Sequence, residues 1–250
     1  MEKERTASGS IKPSAQNRER GPSARRAAFT TGRLEQLTEE GQLSRDNLLA
    51  AAATAFMQKG RAATSIDDVA RRLGATKGLV YHHYRSKNDL FLDVCRRGLE
   101  IDMAAIAPHA ASRERAVTRL ARMAVAHVSA IMERREFQLV ILDAVSLRPG
   151  TGVSDDDGKS LAALVADRER YETSFLDALT AAVAEGDLEC AIASSLATRA
   201  LLSVLSVPLF CEPPREDRTP AESKAFARDL AAFALRGAGA SRETIEEEFG

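Results

Sequence analysis

Residues 75–87 read ATKGLVYHHYRSK, and this stretch with its flanks decides the fold. Thr76 stands where a side-chain oxygen accepts from the free N–H groups of a helix start, so the spacing predicts a short helix over KGLVYHHY. Val80 and Tyr84 are four residues apart and share its inner face, with Leu73 as a neighbour; Gly78, Leu79 and His82 point away from it. Lys77 and Tyr81 lie on one flank of that outer face and His83 on the other. Upstream, Ser65 and Asp68 have capping-box spacing, and Ile66, Val69, Ala70 and Leu73 form an apolar stripe that stops at Gly74. A short helix, a glycine turn at Gly74-Ala75 and a second short helix make a helix-turn-helix unit. A glycine inside a free-standing helix costs about 1 kcal/mol against alanine, so Gly78 in the first turn implies a use: the backbone there can approach another surface closely.

Outward from this unit the helical period continues. Ser44 is placed to cap a helix in which Leu48, Leu49, Ala52, Ala55 and Phe56 recur at three- and four-residue steps, with Gly60 as its stop. Ser86 opens a longer pattern through Leu90, Phe91, Val94, Cys95, Leu99 and Met103 as far as Pro108, which links two domains. Further helical runs span 112–135, 136–147, 159–185, 190–210 and 220–236, and a short polar tail follows Gly239. Breaks fall at Pro149-Gly150, at Gly186-Asp187 and between Pro208 and Pro220, where Pro213-Pro214 forbids helix. No strand pattern competes.

With 250 residues, 44% apolar and 28% charged, the chain is expected to fold as two soluble domains rather than remain disordered. It lacks an apolar run long enough for a membrane span, and its first residues lack a secretory signal, so a cytoplasmic location is expected. Cys95, Cys190 and Cys211 are far apart and suggest neither a disulfide framework nor a zinc site. The net charge of −1 hides a gradient: +2 over residues 1–43, +4 over 44–100 and −7 over 101–250. Such asymmetry suits a protein with one end on a polyanion.

Residues 44–98, and ATKGLVYHHYRSK most densely, resemble the DNA-binding domain of TetR family transcriptional regulators: a small residue, Ser or Thr, Lys, Gly, two variable positions, Tyr, an aromatic or His pair, then Lys before the Asp89-Leu90 step. The resemblance implies an all-α fold with an N-terminal three-helix helix-turn-helix DNA-binding domain at 44–98. A helical effector-binding and dimerisation domain follows at 99–240, between a mildly basic arm at 1–43 and a tail at 241–250. It also implies that Lys77 and Gly78 meet base edges while Thr76, Tyr81, His82, His83 and Lys87 hold phosphates; Ser65 and Leu79 join this DNA set, Leu79 against a thymine methyl. Leu79 departs from the polar residue usual there, and Arg61 stands where the family has an aromatic. Arg71 and Arg72 are either solvated charges or phosphate contacts. Arg25 and Arg26 in the arm are either inert or minor-groove contacts.

Two motifs around GTGVSDDDGKS at 150–160 fail on inspection. A P-loop needs Gly where Val153 stands, and a calcium loop needs an acid at Val153 and Glu at Leu164, so an interhelix loop is expected. Adjacent His82 and His83 diverge by about 100° on a helix and have no ligand partner, so no metal or cofactor is expected. With His109 and His127 isolated and no nucleophile set, neither is catalysis. Met123, His127, Ile131, Phe137, Val140, Ile141, Tyr171, Phe175 and Leu179 are candidates for the lining of a ligand pocket suited to a hydrophobic or amphipathic molecule. By resemblance the last two long helices pair with those of a second copy, and Leu196, Ala200, Val204, Phe226, Leu230 and Phe233 are the interface candidates. The reading is a homodimeric regulator, repressor rather than activator, released from a pseudo-palindromic operator by a small molecule. Control by a protein partner, by no ligand, or a helical enzyme with a vestigial DNA domain remain as alternatives.

Overall fold

The computed structural model describes residues 45–145, 155–211 and 218–250, and throughout them the architecture is helical, with one isolated bridge, Leu188 to Ala240. The arm, including Arg25 and Arg26, Ser44, residues 150–154 and Pro213-Pro214 lie outside the described residues. Helix α1 spans residues 45–63, and α2 (Ile66–Leu73), α3 (Lys77–His83) and α4 (Lys87–Ala110) follow at short intervals. Each start carries its own signal: Ser65 and Asp68 form the reciprocal capping box on α2, Thr76 accepts from the Leu79 amide on α3, and Ser86 accepts from the Asp89 amide on α4. Gly74 ends α2 at φ 68°, a left-handed conformation that any side chain would resist.

Beyond these lie α5 (Ala116–Glu133), α6 (Arg135–Val145), α7 (Asp155–Ala184), α8 (Ser194–Leu205), α9 (Pro208–Cys211), α10 (Pro220–Gly237) and α11 (Arg242–Phe249). Several edges differ from expectation. Helix α1 continues past Gly60, whose carbonyl accepts from the Thr64 hydroxyl and amide. Helix α4 runs through Pro108, which sits near its C-terminus, where the carbonyl it leaves unmet belongs to exposed Ala104. Helix α7 begins at Asp155, four residues before the expected start. Residues 242–249, expected as a polar tail, form a helix capped by Ser241 that buries Ile245.

Two apolar clusters organise these helices. In the first, Leu48, Phe56, Val69, Val80 and Phe91 from α1–α4 pack with Phe137, Val140 and Ile141 of α6 and Leu164 of α7. In the second, Val117, Leu120, Met123, Phe175, Leu179, Leu201 and Leu235 join α5, α7, α8 and α10. Helix α4, about 36 Å long, contributes Leu90 to Leu99 to the first and Ile106 to the second. Gly98 lets α4 and α6 meet: a Cβ there would lie 2.6 Å from Ile141 Cδ1 and 3.2 Å from Phe137 Cβ. Phe137 and Val140, expected at a ligand pocket, are buried in the cluster shared with α1–α4, as is Ile141.

Candidate nucleic-acid interface and helical-domain cavity

Val80 is wholly buried, and with Tyr84 it fixes which face of α3 turns inward. Thr76, Lys77, Gly78, Leu79, Tyr81, His82 and His83 are all exposed, Leu79 by 37% and Tyr81 by 48% despite their apolar bulk. Apolar surface presented by an anchored helix points to something that covers it. Gly78 is informative because the fold does not need it: an added Cβ would meet nothing nearer than Thr76 Oγ1 at 3.8 Å.

The polar groups around α3 are arranged by ion pairs. Lys77 Nζ donates to Asp67 Oδ2 at 3.0 Å and lies 5.8 Å from the Tyr81 ring centroid, and the bond to Asp67 raises its pKa. Ser65 is occupied as the α2 cap, accepting from the Asp68 amide and donating to Asp68 Oδ2. Lys87 donates to the carbonyls of Arg61, Ala62 and Thr64 at 2.8, 3.1 and 2.8 Å, so its ammonium closes the end of α1 and has no proton left for a phosphate while those bonds hold. Arg72 donates to Gln58, and Arg71 reaches Asp68 at 3.4 Å. Arg61 fills the corner that an aromatic was expected to fill: its guanidinium lies 5.0 Å over the Phe91 ring and donates to Asn88 Oδ1 at 2.5 Å.

Asp93 holds α3 from behind. It accepts from the Tyr84 hydroxyl at 2.6 Å, from Arg45 at 2.8 and 3.1 Å, and from Arg96 at 2.9 Å. Burial alone would raise its pKa, but the Tyr84 and Arg45 hydrogen bonds and the nearby guanidinium charges outweigh it and hold the carboxylate below its usual range. Sequence reasoning missed this cluster; Asp93 on the apolar side of α4, between Leu90 and Val94, was the available signal.

A cavity of about 600 Å³ opens among α4, α5, α6, α7, α8 and α9. Of the pocket candidates it takes His127, Ile141 and Tyr171. Met123, Ile131, Phe175 and Leu179 are core, although the Phe175 ring touches both His127 and Tyr171, and Phe137 lines a separate groove near Arg97 and Arg134. The residues missed include apolar Leu99, Leu202, Leu209 and Phe210 and the polar Asp102 and Gln138. Buried Asp102 accepts from Gln138 Nε2 at 2.7 Å, and buried His127 Nδ1 contacts the Tyr171 hydroxyl at 2.6 Å. Burial pushes Asp102 up to about 7, with Gln138 opposing, and lowers His127 to about 4. His127 Nε2 is buried without a partner. Arg199 and the Arg168–Glu172 pair, 2.9 Å apart, complete the polar rim. Among the described residues no group of three His, Cys, Asp or Glu is placed to hold a metal ion, and no helix is long and apolar enough to cross a membrane.

On α8 and α10, Leu196 is 56% and Phe233 68% exposed; Ala200 is exposed, and Val204, Phe226 and Leu230 are half-buried, with Arg218 over the Phe226 ring at 4.6 Å.

Comparison with known proteins places this geometry. The family profile "Bacterial regulatory proteins, tetR family" matches residues 48–94, from α1 into α4. The repressor KstR2 of Mycolicibacterium smegmatis is 41% identical over 56 residues, 22% of this chain and 27% of that protein. The match thus spans about a quarter of the curated relatives' length. Solved structures extend the likeness to the helical domain. The TetR family regulator PfmR of Thermus thermophilus superposes with a TM-score of 0.63 at 28% identity, covering 76% of this chain and 97% of that one. AibR, solved with isovaleryl coenzyme A and operator DNA, gives 0.64 at 16% identity over 77% and 98%, a likeness of fold. The helix-turn-helix unit is thus similar in sequence to the DNA-binding domain of the tetR family, and the helical body is similar in fold to TetR family regulators.

Proposed function

We propose that this chain is a homodimeric transcription regulator, a repressor that reads a pseudo-palindromic operator through α3 and releases it when a small molecule enters the cavity at Asp102 and His127. The observation that carries the reading is Gly78, exposed in the first turn of α3 with open space where a Cβ would stand. Stability alone would favour alanine there, whereas a helix backbone lying against base edges favours glycine. In this reading Lys77 exchanges Asp67 for a guanine, Leu79 covers a thymine methyl, and Thr76, Tyr81, His82 and His83 hold phosphates. Ser65 and Lys87 act from behind, by ordering α2 and the end of α1.

The exposed Leu196, Ala200 and Phe233 are taken to pack against a second copy, with Val204, Phe226 and Leu230 at the edge. A two-fold axis then sets two recognition helices about one DNA turn apart. Effector coupling runs through α6, which carries Gln138, Ile141 and Leu142 on the cavity wall and Phe137, Val140 and Ile141 in the core cluster that it shares with α1–α4. A ligand that favours another placement of α6 shifts the population away from the DNA-competent state. Nothing in this role requires catalysis or a cofactor, and it is exercised in the cytoplasm.

A mobility-shift assay with Lys77→Ala tests the DNA half: specific binding is lost while the fold is kept, and unchanged binding rejects it. Reciprocity tests the effector half, because a releasing ligand and the operator must each weaken the other by the same factor.

A further inference from the structure

We propose that the cavity takes an amphipathic monoanion: a carboxylate head held at the rim by Arg199 and Arg168, on an apolar body that lies inward against Leu99, Ile141, Leu202 and Leu209. This rests on reading the cavity as the effector site and names the chemistry it recognises. The lining is graded in polarity. Asp102, His127, Gln138 and Tyr171 are buried and bonded in pairs, Gln138 to Asp102 at 2.7 Å and His127 to Tyr171 at 2.6 Å, so the inner polar groups are turned to one another. The guanidiniums and Glu172 stand further out: Arg199 is exposed, and the side chains of Arg168 and Glu172 keep 41% and 32% of their surface. On α8, Arg199, Leu202, Ser203 and Ser206 recur at helical spacing and share one face, which runs from the exposed guanidinium to half-buried Leu202. That face lies beside the stripe of Leu196, Ala200 and Val204 assigned above to a second copy.

The charges at the rim decide the class of ligand. Arg168 donates through Nε to Glu172 Oε1 at 2.9 Å, one cation against one anion, and its two amino groups have no acceptor among the described residues. Arg199 has no side-chain partner among them at all. The hydroxyls of Ser203 and Ser206 donate back along α8, each at 2.8 Å, to the carbonyls of Arg199 and Leu202, so the free protons at the rim belong to the guanidiniums. Two guanidiniums against one carboxylate leave one positive charge, and a planar carboxylate matches the guanidinium fork. Asp102 does not cancel that charge: it sits behind the rim, and burial pushes its pKa up to about 7, so it is ionised only in part at neutral pH. An ammonium ligand would face both guanidiniums and find Glu172 already paired, and a second anionic group would find no further cation on the lining. The volume, about 600 Å³, holds a chain of about ten carbons with its head at the rim.

The test uses the DNA-free full-length chain and three flexible probes that share one chain length and differ in the charge of the head: decanoate, decanol and decylammonium, each below its micelle concentration. Calorimetry is expected to rank decanoate about fivefold or more above decanol, with decylammonium weakest, and added salt narrows the gap between decanoate and decanol. Arg199→Gln closes that gap while keeping the affinity for decanol, which reports that the cavity is intact. Glu172→Gln frees Arg168 and widens the gap. Decanol or decylammonium binding as tightly as decanoate, a gap unmoved by either substitution, or no binding by any of the three overturns the proposal. Decanoate that binds as described but leaves operator affinity unchanged sinks the effector reading alone.

Discussion

Replacing Gly78 with alanine should move stability and DNA affinity in opposite directions. The residue is exposed and helical, and its new Cβ would have only Thr76 Oγ1 near it, at 3.8 Å, so nothing in the free protein resists it. Removing a glycine from a helix gains about 0.5–1 kcal/mol, less at a first-turn position, and in a protein of this size about 1 kcal/mol raises Tm by about 2–4 °C. Thermal unfolding of Gly78→Ala should therefore show an unchanged or slightly higher midpoint. On the operator the added methyl stands between the backbone of α3 and the bases. A lost base-edge fit costs about 1–3 kcal/mol per half-site, so a two-fold complex weakens by about thirtyfold or more. Titration by fluorescence anisotropy at fixed salt reads this loss, while weak non-specific binding at low salt persists because the phosphate contacts remain. Wild-type affinity in the alanine variant, or a drop in Tm that accounts for lost binding by unfolding, refutes the reasoning.

The buried cavity pair should give opposing pH signatures. Asp102 holds its proton more tightly folded than unfolded, so its contribution to stability falls as pH rises from about 4 to about 7. His127 binds its proton less tightly folded, so its contribution grows between about 4 and 6.5, and the two nearly cancel there. Relative to wild type, Asp102→Asn should add an upward slope of about 1.4 kcal/mol per pH unit to denaturant-derived stability and His127→Leu a downward one; parallel profiles for all three proteins contradict this. Asp93→Ala strands the buried Tyr84 hydroxyl and two guanidiniums and should lower stability by about 2–4 kcal/mol, far more than Tyr84→Phe. Lys87→Met should lower stability by about 1–2 kcal/mol by freeing three carbonyls at the end of α1, yet leave the slope of log affinity against log salt unchanged; a shallower slope would assign it to phosphate. Leu196→Glu with Phe233→Glu should yield monomers in sedimentation without unfolding; a persistent dimer moves the interface elsewhere.

The helix-turn-helix unit was legible because its signals are local. Ser65, Gly74, Thr76 and Ser86 punctuate short helices within a few residues of one another, and Val80 with Tyr84 fixes the inner face of α3. The cavity was not, because it is assembled from six helices, α4 to α9, and its polar residues stand among apolar ones. Leu99, Asp102 and Ile106 share a face of α4, and a charge in an apolar stripe was the clue to a buried carboxyl, yet it reads equally as a solvated position. Gln138 beside Phe137 on α6 carried the same signal. Helix α11 went unread because RETIEEEF is mostly charged and its one buried apolar contact, Ile245, depends on docking to the body of the domain.

The most direct measurement is selection of bound duplexes from a random pool by the full-length chain, followed by footprinting of the winner. The account predicts an inverted pair of half-sites centred about one helical turn apart, protected in the major groove on one face and lost with Gly78→Ala. Enrichment of no sequence, or of a single asymmetric site indifferent to that substitution, contradicts it.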